Sequence, residues 1–407
     1  MSGRRIPSSA AGYPRPFFVA MGASLLLFFS LQALFPVLPL FIAQIGGKPA
    51  DNGLATWVFA LAAMIVRPLA GTLADRWGCK PVMVMGAVLF GLTPLVYAVI
   101  PGIPALLLVR LVHGAGMALF STAYPAYMAE MLSPGRYGEG MGIANVASSV
   151  AMVVAPLFGE WALARYSFFW AFVLASLVGV GGVAATAVLP RQGPAGPRPA
   201  EPQPQGGGLR QVWARPGIRT GAWAMVLLGV PFGAFIVFLP LLAEARGLGG
   251  TGAVFGAYAA ATSLAQPIGG RAADRWGAMR VAWIGVAGSG LVALGLAGAA
   301  GRTSLLIWAA LFGIGFGVAQ SGISAHVQAS VLPSQRAGGA AIQYTAFDLV
   351  VGFSSWALGL LAGATDYGVM YAVSGATLLV GLLATLGYTV ARTVLKPESL
   401  PSRVDSD

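Results

Sequence analysis

Apolar residues follow one another along this chain in unbroken stretches of about 20, parted by short polar segments rich in Gly, Pro and Arg. Wound as a helix, such a stretch crosses a ~30 Å hydrocarbon layer. The runs lack the strict apolar–polar alternation of a barrel wall, so helices are expected. The pattern predicts spans at Phe17 to Ala43, Leu54 to Ala74, Val82 to Ile100, Pro104 to Met128, Gly140 to Ala162 and Phe168 to Leu189. It predicts six more at Thr220 to Ala243, Val254 to Ala272, Val281 to Ala299, Ser304 to Val327, Gly338 to Leu361 and Gly368 to Ala391. The expected fold is an all-α integral membrane protein with twelve transmembrane helices in two pseudo-symmetric six-helix bundles.

The two-bundle expectation rests on a repeat. The segment Pro68 to Gly78 returns 199 positions later as Pro267 to Gly277, with seven of eleven residues identical. Each copy closes an apolar run with a charged turn, as in a membrane unit made twice. Between the copies lies Pro190 to Ile218, with Pro194, Pro197, Pro199, Pro202, Pro204 and the run Gly206 to Gly208, which reads as a mobile linker. The expected organisation is a tail over 1–16, a bundle over 17–189, the linker over 190–218, a second bundle over 219–391 and a tail over 392–407.

Composition removes other classes. The 407 residues are 57% hydrophobic and only 9% charged, and mean hydropathy is +0.78, which no soluble globule of this length requires. The net charge of +11 is spread through short loops and is a topology signal: with both termini and the linker cytoplasmic, most cations lie on the cytoplasmic side. A multi-pass protein of the cytoplasmic membrane is expected, and nucleic acid is excluded as a partner because no basic domain exists. A lone cysteine, Cys79, rules out an internal disulfide. No phosphate-binding loop, metal-ligand run or local nucleophile–base pair is present, so no cofactor or metal is expected.

The turn after the second span carries Gly71, Asp75, Arg76, Gly78 and Lys80. It resembles the loop 2–3 signature of the major facilitator superfamily, and Asp274 and Arg275 lie in its weaker echo. Cys79 departs from that signature, where a basic residue is usual. The resemblance implies that Asp75 and Arg76 bridge the halves on the cytoplasmic side, and Glu130 and Arg136 at the end of span four could join the same ionic latch. Physically, Asp75 can accept N–H groups at a helix N-terminus, while Gly71 and Gly78 permit close approach and a tight turn; a fixed turn that merely sets topology is the alternative. Arg110, His113, Gly114 and Gly116 resemble the span-four motif of proton-coupled members, with His113 where glutamine is more usual. Pro156 and Gly159 resemble the antiporter motif of span five, with Ala155 in place of its first glycine. Together these resemble the twelve-span drug:proton antiporter branch.

Charged groups within hydrocarbon cost roughly 2.5–3.5 kcal/mol on insertion scales and ask for a partner or a wet cavity. Asp348 is the one carboxylate deep in a predicted span, which makes it the leading candidate to carry a proton; static pairing with another helix is the alternative. Arg110 and His113 share a helical face, where a neutral His could relay a proton beside a fixed cation or simply fill a helix interface. Arg67, next to Pro68, could gate or touch ligand. Phe28, Gln32 and Phe35 of span one, Phe232 and Phe235 of span seven, and Asn145, Gln266, Gln320, Gln343 and Tyr344 suggest a cavity with aromatic walls and scattered amides, suited to amphipathic molecules.

These readings converge on a secondary transporter, a monomer in the lipid bilayer that exports small amphipathic molecules or drugs in exchange for protons by alternating access. An uptake symporter, a dedicated metabolite or siderophore exporter, a passive channel and an integral membrane enzyme are the alternatives.

Overall fold

The computed structural model describes residues 13–132, 137–191, 209–332 and 335–395. Its helices are α1 (Arg15–Ala33), α2 (Val37–Gln44), α3 (Pro49–Trp77), α4 (Cys79–Tyr97), α5 (Ile103–Ala129), α6 (Tyr137–Arg165) and α7 (Phe168–Ala187). After the linker come α8 (Leu209–Ala214), α9 (Pro216–Ala245), α10 (Gly252–Trp276), α11 (Ala278–Ala297), α12 (Arg302–Ala329), α13 (Arg336–Ala364) and α14 (Tyr367–Leu395). Among the described residues ten segments, with α1 and α2 taken as one, are long and apolar enough to cross a membrane. The other two predicted spans, α6 and α10, are rods of 29 and 25 residues.

Three departures from the expected limits have local causes. The first span is broken, because a tight turn over Leu34 to Pro36 ends α1 and a new helix starts after Pro36; proline has no N–H to continue the ladder. α3 begins five residues earlier than expected, because Pro49 suits the first helical position and the Asp51 carboxylate accepts the Lys48 N–H at 2.7 Å. The end of the linker, expected to be mobile, folds into α8, where Val212 packs into the second bundle and Arg215 donates to the Ser330 carbonyl at 3.3 Å.

α1 to α7 pack together, as do α9 to α14, and the two bundles meet chiefly where α3 lies against α13 and α6 against α10. Lipid tails are as apolar as leucine, so burial alone does not drive helices together there; close packing does. Here glycines supply it, and they do so twice in the same register. Gly114 of α5 sits over the Phe59 carbonyl of α3, and Gly313 of α12 sits over the Tyr258 carbonyl of α10. Gly86 of α4 meets the backbone at Phe120 and Gly116 of α5, while Gly285 of α11 meets Ala319 and Gly315 of α12. Each pair is separated by the same 199 residues as the charged turns. The duplication visible at one motif therefore extends through the helix contacts. Large apolar side chains left on the outside, such as Ile65, Leu69 and Trp77 with their counterparts Leu264, Ile268 and Trp276, are exposed and suit a lipid-facing surface.

Replacing Gly116 with leucine should lower the melting temperature of the detergent-purified protein. Overpacking costs roughly 1–3 kcal/mol even where neighbours can shift, and here a Cβ would lie 2.6 Å from the Phe90 backbone nitrogen. Gly22→Ala, whose new methyl meets nothing within 4 Å, should leave the melting temperature unchanged or raise it, since alanine is the better helix former.

Candidate transport cavity and the seam beside it

Gly78 and Gly277 end α3 and α10 with φ of 86° and 93°, a conformation that favours glycine, and turn the chain into α4 and α11. These turns mark one end of the molecule, the motif end; α3 and α10 start at the opposite, far end. Gly53 of α3 faces the Ser355 carbonyl and the Trp356 Cα of α13, and 199 residues on, Gly252 of α10 faces the Pro156 carbonyl and the Leu157 Cα of α6. Closer to the middle, Gly352 meets Trp57 and Gly256 meets Val153. The described glycine contacts that join the bundles all lie in the far half, so the protein is closed there.

Two differences between the twin seams involve charge. Gly359 packs on Pro49 at the far end, whereas its counterpart is Glu160, whose carboxylate accepts the Gly252 N–H in the first turn of α10. Near the middle, Arg67 of α3 donates from Nη1 to Asp348 Oδ2 of α13 at 2.7 Å, tying the bundles by charge. The corresponding position on α10 is Gln266, which donates to Gln320 Oε1 at 2.8 Å within its own bundle.

Between the far seam and the ion pair lies a cavity of about 260 Å³. α3 contributes Asn52, Ala55, Thr56, Phe59, Ala60 and Ala63; the α1–α2 break contributes Leu34 and Phe35, α5 Arg110 and Met117, α9 Phe232, and α13 Asp348 and Val351. The break at Pro36 thus serves the site by turning Phe35 inward. Asp348 stands at the motif-end margin, and its side chain and that of Arg67 are 33% and 31% exposed. That exposure places the pair closer to a surface ion pair, worth about 0–1 kcal/mol, than to a dry one, so it can part and reform. Arg110, only 7% exposed, stands toward the far end. Its Nε donates to the Ala55 carbonyl at 3.1 Å, and its guanidinium lies 4.5 Å from the centroid of the Phe59 ring. Asp348 therefore pairs with Arg67, and Arg110 belongs to a separate station about 12 Å away, the rise of the eight residues between Phe59 and Arg67.

Other expected cavity residues lie elsewhere. His113 is fully buried behind Arg110, with Nδ1 3.0 Å from the Tyr97 hydroxyl and the rings of Phe59 and Phe90 around it. Phe28 packs edge-on against Phe90, and Phe235 stacks on Phe312 in the core of the second bundle. Gln32 is buried with its Oε1 unpartnered, Gln343 is buried and donates to Ser324 Oγ at 2.9 Å, and Tyr344 is exposed outside the cavity wall. Arg136 and the side chain of Asn145 lie outside the described residues. Asn52, Thr56 and Phe59 line the site without having been singled out as candidates; Asn52 precedes the expected start of the second span, and the Pro49 start with the Lys48–Asp51 cap brings it into the helix.

The sequence model of the Major Facilitator Superfamily matches residues 20–256 and again 221–404. The chain belongs to this superfamily. It is 31% identical over 156 residues to the Multidrug resistance protein B homolog of Mycobacterium tuberculosis, covering 38% of this chain and 29% of that protein. It is 26% identical over 155 residues to the Quinolone resistance protein NorA of Staphylococcus aureus, covering 38% of this chain and 40% of that protein. Thus the chain spans well under half the length of these curated relatives. Among solved structures, the nucleoside transporter NupG aligns with a TM-score of 0.78 over 92% of this chain and 99% of that chain at 15% identity, a likeness of fold. As a facilitator-superfamily member, the protein is a multi-pass membrane transporter rather than an enzyme.

Within this facilitator, the span-five motif has a physical task. Gly159 lets α6 approach the Ala33 carbonyl at the end of α1, and the Pro156 carbonyl faces Gly252 across the seam. At the motif end, Asp75, Arg76, Asp274 and Arg275 are exposed, and Lys80 is half-buried. A Cβ at Gly71 would meet nothing within 4 Å, so the close approach expected there is absent in this conformation. Glu130 contacts the buried Cys79, whose Sγ is 4.0 Å from Oε1, so the motif residue that departs from the family pattern is the one Glu130 reaches.

Gly53→Leu should hold the far end open, because the new side chain would fall on the Ser355 carbonyl. Spin labels on Lys48 and Thr365, in a background lacking Cys79, should report longer distances in this variant, and Gly252→Leu should do the same. Unchanged distances would show that the glycine seams do not close this end.

Proposed function

We propose that this facilitator is a twelve-span secondary active transporter that exports small amphipathic organic molecules in exchange for protons. Both termini and the motif end face the cytoplasm, a 17–189 bundle and a 219–391 bundle rock about the cavity, and the protein works as a monomer. The observation that carries this reading is the position of Asp348, which is at once part of the cavity wall and half of the charged tie between α3 and α13.

One proton on Asp348 neutralises its charge and removes the attraction to Arg67. Protonation and the contact between bundles are then linked: the tie favours the conformation closed at the far end, and its loss favours separation of the seam. Partial exposure supports this, since in the conformation closed at the far end water at the motif end can take up the proton that Asp348 brings from the far side, after which the tie re-forms. Solute in the cavity and proton on Asp348 exchange because both act on the same two helices. In this cycle Asp75, Arg76, Asp274 and Arg275 with Glu130 and Arg136 regulate the motif end once it closes, and His113 orients Arg110 through the packing around Phe59. Efflux is favoured over uptake by the similarity to two resistance proteins.

Purified protein in proteoliposomes with an imposed proton gradient should accumulate at least one member of a panel of small aromatic anions, cations and neutral molecules. Asp348→Asn should abolish gradient-driven accumulation and the proton release that accompanies solute binding in detergent. Unaltered accumulation in that variant removes Asp348 from the mechanism, and solute movement that only ever runs downhill replaces the exchanger with a passive pore.

A further inference from the structure

The cavity wall holds two ionisable groups, Asp348 and Arg110. Asp348 is neutralised by Arg67 at 2.7 Å. Arg110 has no carboxylate of the described residues within ion-pair distance; its polar partners are the Ala55 carbonyl and the neutral Tyr97 hydroxyl, and its flat face rests on Phe59. A carbonyl dipole and a ring face orient a guanidinium without cancelling its charge, and at 7% exposure little water does so either. The chamber therefore carries one uncompensated positive charge at its far-end station.

From this geometry we infer that the solute is an anion: a small aromatic carboxylate whose carboxyl group docks on Arg110 and whose ring lies between Phe35 and Phe232. The inference rests on the transporter reading and specifies its substrate class. A guanidinium presents its N–H donors in a fork that matches a carboxylate. Nε is engaged by the Ala55 carbonyl and the guanidinium also hydrogen-bonds the Tyr97 hydroxyl; the N–H donors that remain are those a ligand would meet. Asn52, only 3% exposed and on the same wall one turn before Ala55, adds an amide. Apart from these groups, Thr56 and Asp348, the wall is apolar, with Phe232 held in place by stacking on Phe316 at 4.9 Å. The volume of about 260 Å³ falls just under the ~300–1,000 Å³ of drug-sized sites, which fits one or two fused rings. A cationic solute would meet Arg110 in a low-dielectric chamber with its sole carboxylate already engaged.

The test uses 1-naphthoate, its neutral amide 1-naphthamide and the cation 1-naphthylmethylammonium, in low-salt buffer free of chloride, sulfate and phosphate so that a small inorganic anion does not occupy the station. Binding to detergent-purified protein and flux in proteoliposomes are both read. The expected result is naphthoate binding preferred over the amide and the cation, weakened about tenfold to a hundredfold by Arg110→Gln, the usual loss for a charge-assisted contact, and partly restored in Arg110→Lys. Size-exclusion profiles matching the unaltered protein show that the variants fold. Should Arg110→Gln fail to fold, the Lys variant and Phe232→Ala, which should weaken naphthoate and its amide alike, carry the test. Preference for the cation, naphthoate binding indifferent to Arg110→Gln, or no binding of any of the three at millimolar concentration overturns the inference. Arg110-dependent naphthoate binding without flux upholds the anion site and overturns the transporter reading alone.

Discussion

Close approach of helix backbones in a medium that supplies no hydrophobic drive is the constraint on which this structure depends. Where Gly86 meets Gly116 and Phe120, or Gly114 meets the Phe59 carbonyl, the helices touch at the backbone, and dispersion over a long contact does what water exclusion does in a soluble protein. The same physics serves two purposes. Within a bundle, repeated contacts on several faces of each helix hold it in place. Between bundles, the described glycine contacts are confined to the far half of two helix pairs, which leaves a seam that can open while each bundle moves as a unit.

Charge is distributed on that frame with economy. Two seams related by the duplication share the glycine contact of Gly53 and Gly252, yet among the described residues one carries an ion pair and the other carries Glu160 over a helix N-terminus. The asymmetry gives the α3–α13 seam a titratable group at the margin of the cavity, while the α6–α10 seam holds the far end with a carboxylate placed against the positive end of α10. The third intramembrane ion, Arg110, takes no part in either seam. Its separation from Asp348 divides the chamber into a station that holds charge permanently and one whose charge a proton can remove.

Much of the fold was legible in the chain. Apolar run length announced the rods, and the return of Asp75, Arg76 and Gly78 as Asp274, Arg275 and Gly277 announced the duplication. Helix limits were less legible, because a five-residue extension of α3 depends on one capping carboxylate, Asp51. The site was read in part. Phe35, Phe232, Arg110 and Asp348 reach the cavity because cost and aromatic spacing marked them. Gln266 and Gln320 satisfy each other instead, Phe235 faces its own bundle, and Asn52 escaped notice at a position that composition assigned to a loop.

By itself, the sequence determined that this is a helical membrane protein made of two related halves, since run length and internal identity are properties of the chain read in one dimension. Only the tertiary structure decided which end is closed, which residues share a cavity, and that Asp348 answers to Arg67 while Arg110 has no such counter-charge among the described residues. Those facts depend on which faces of helices hundreds of residues apart meet, and an ion pair between positions 281 residues apart leaves no periodic trace along the chain.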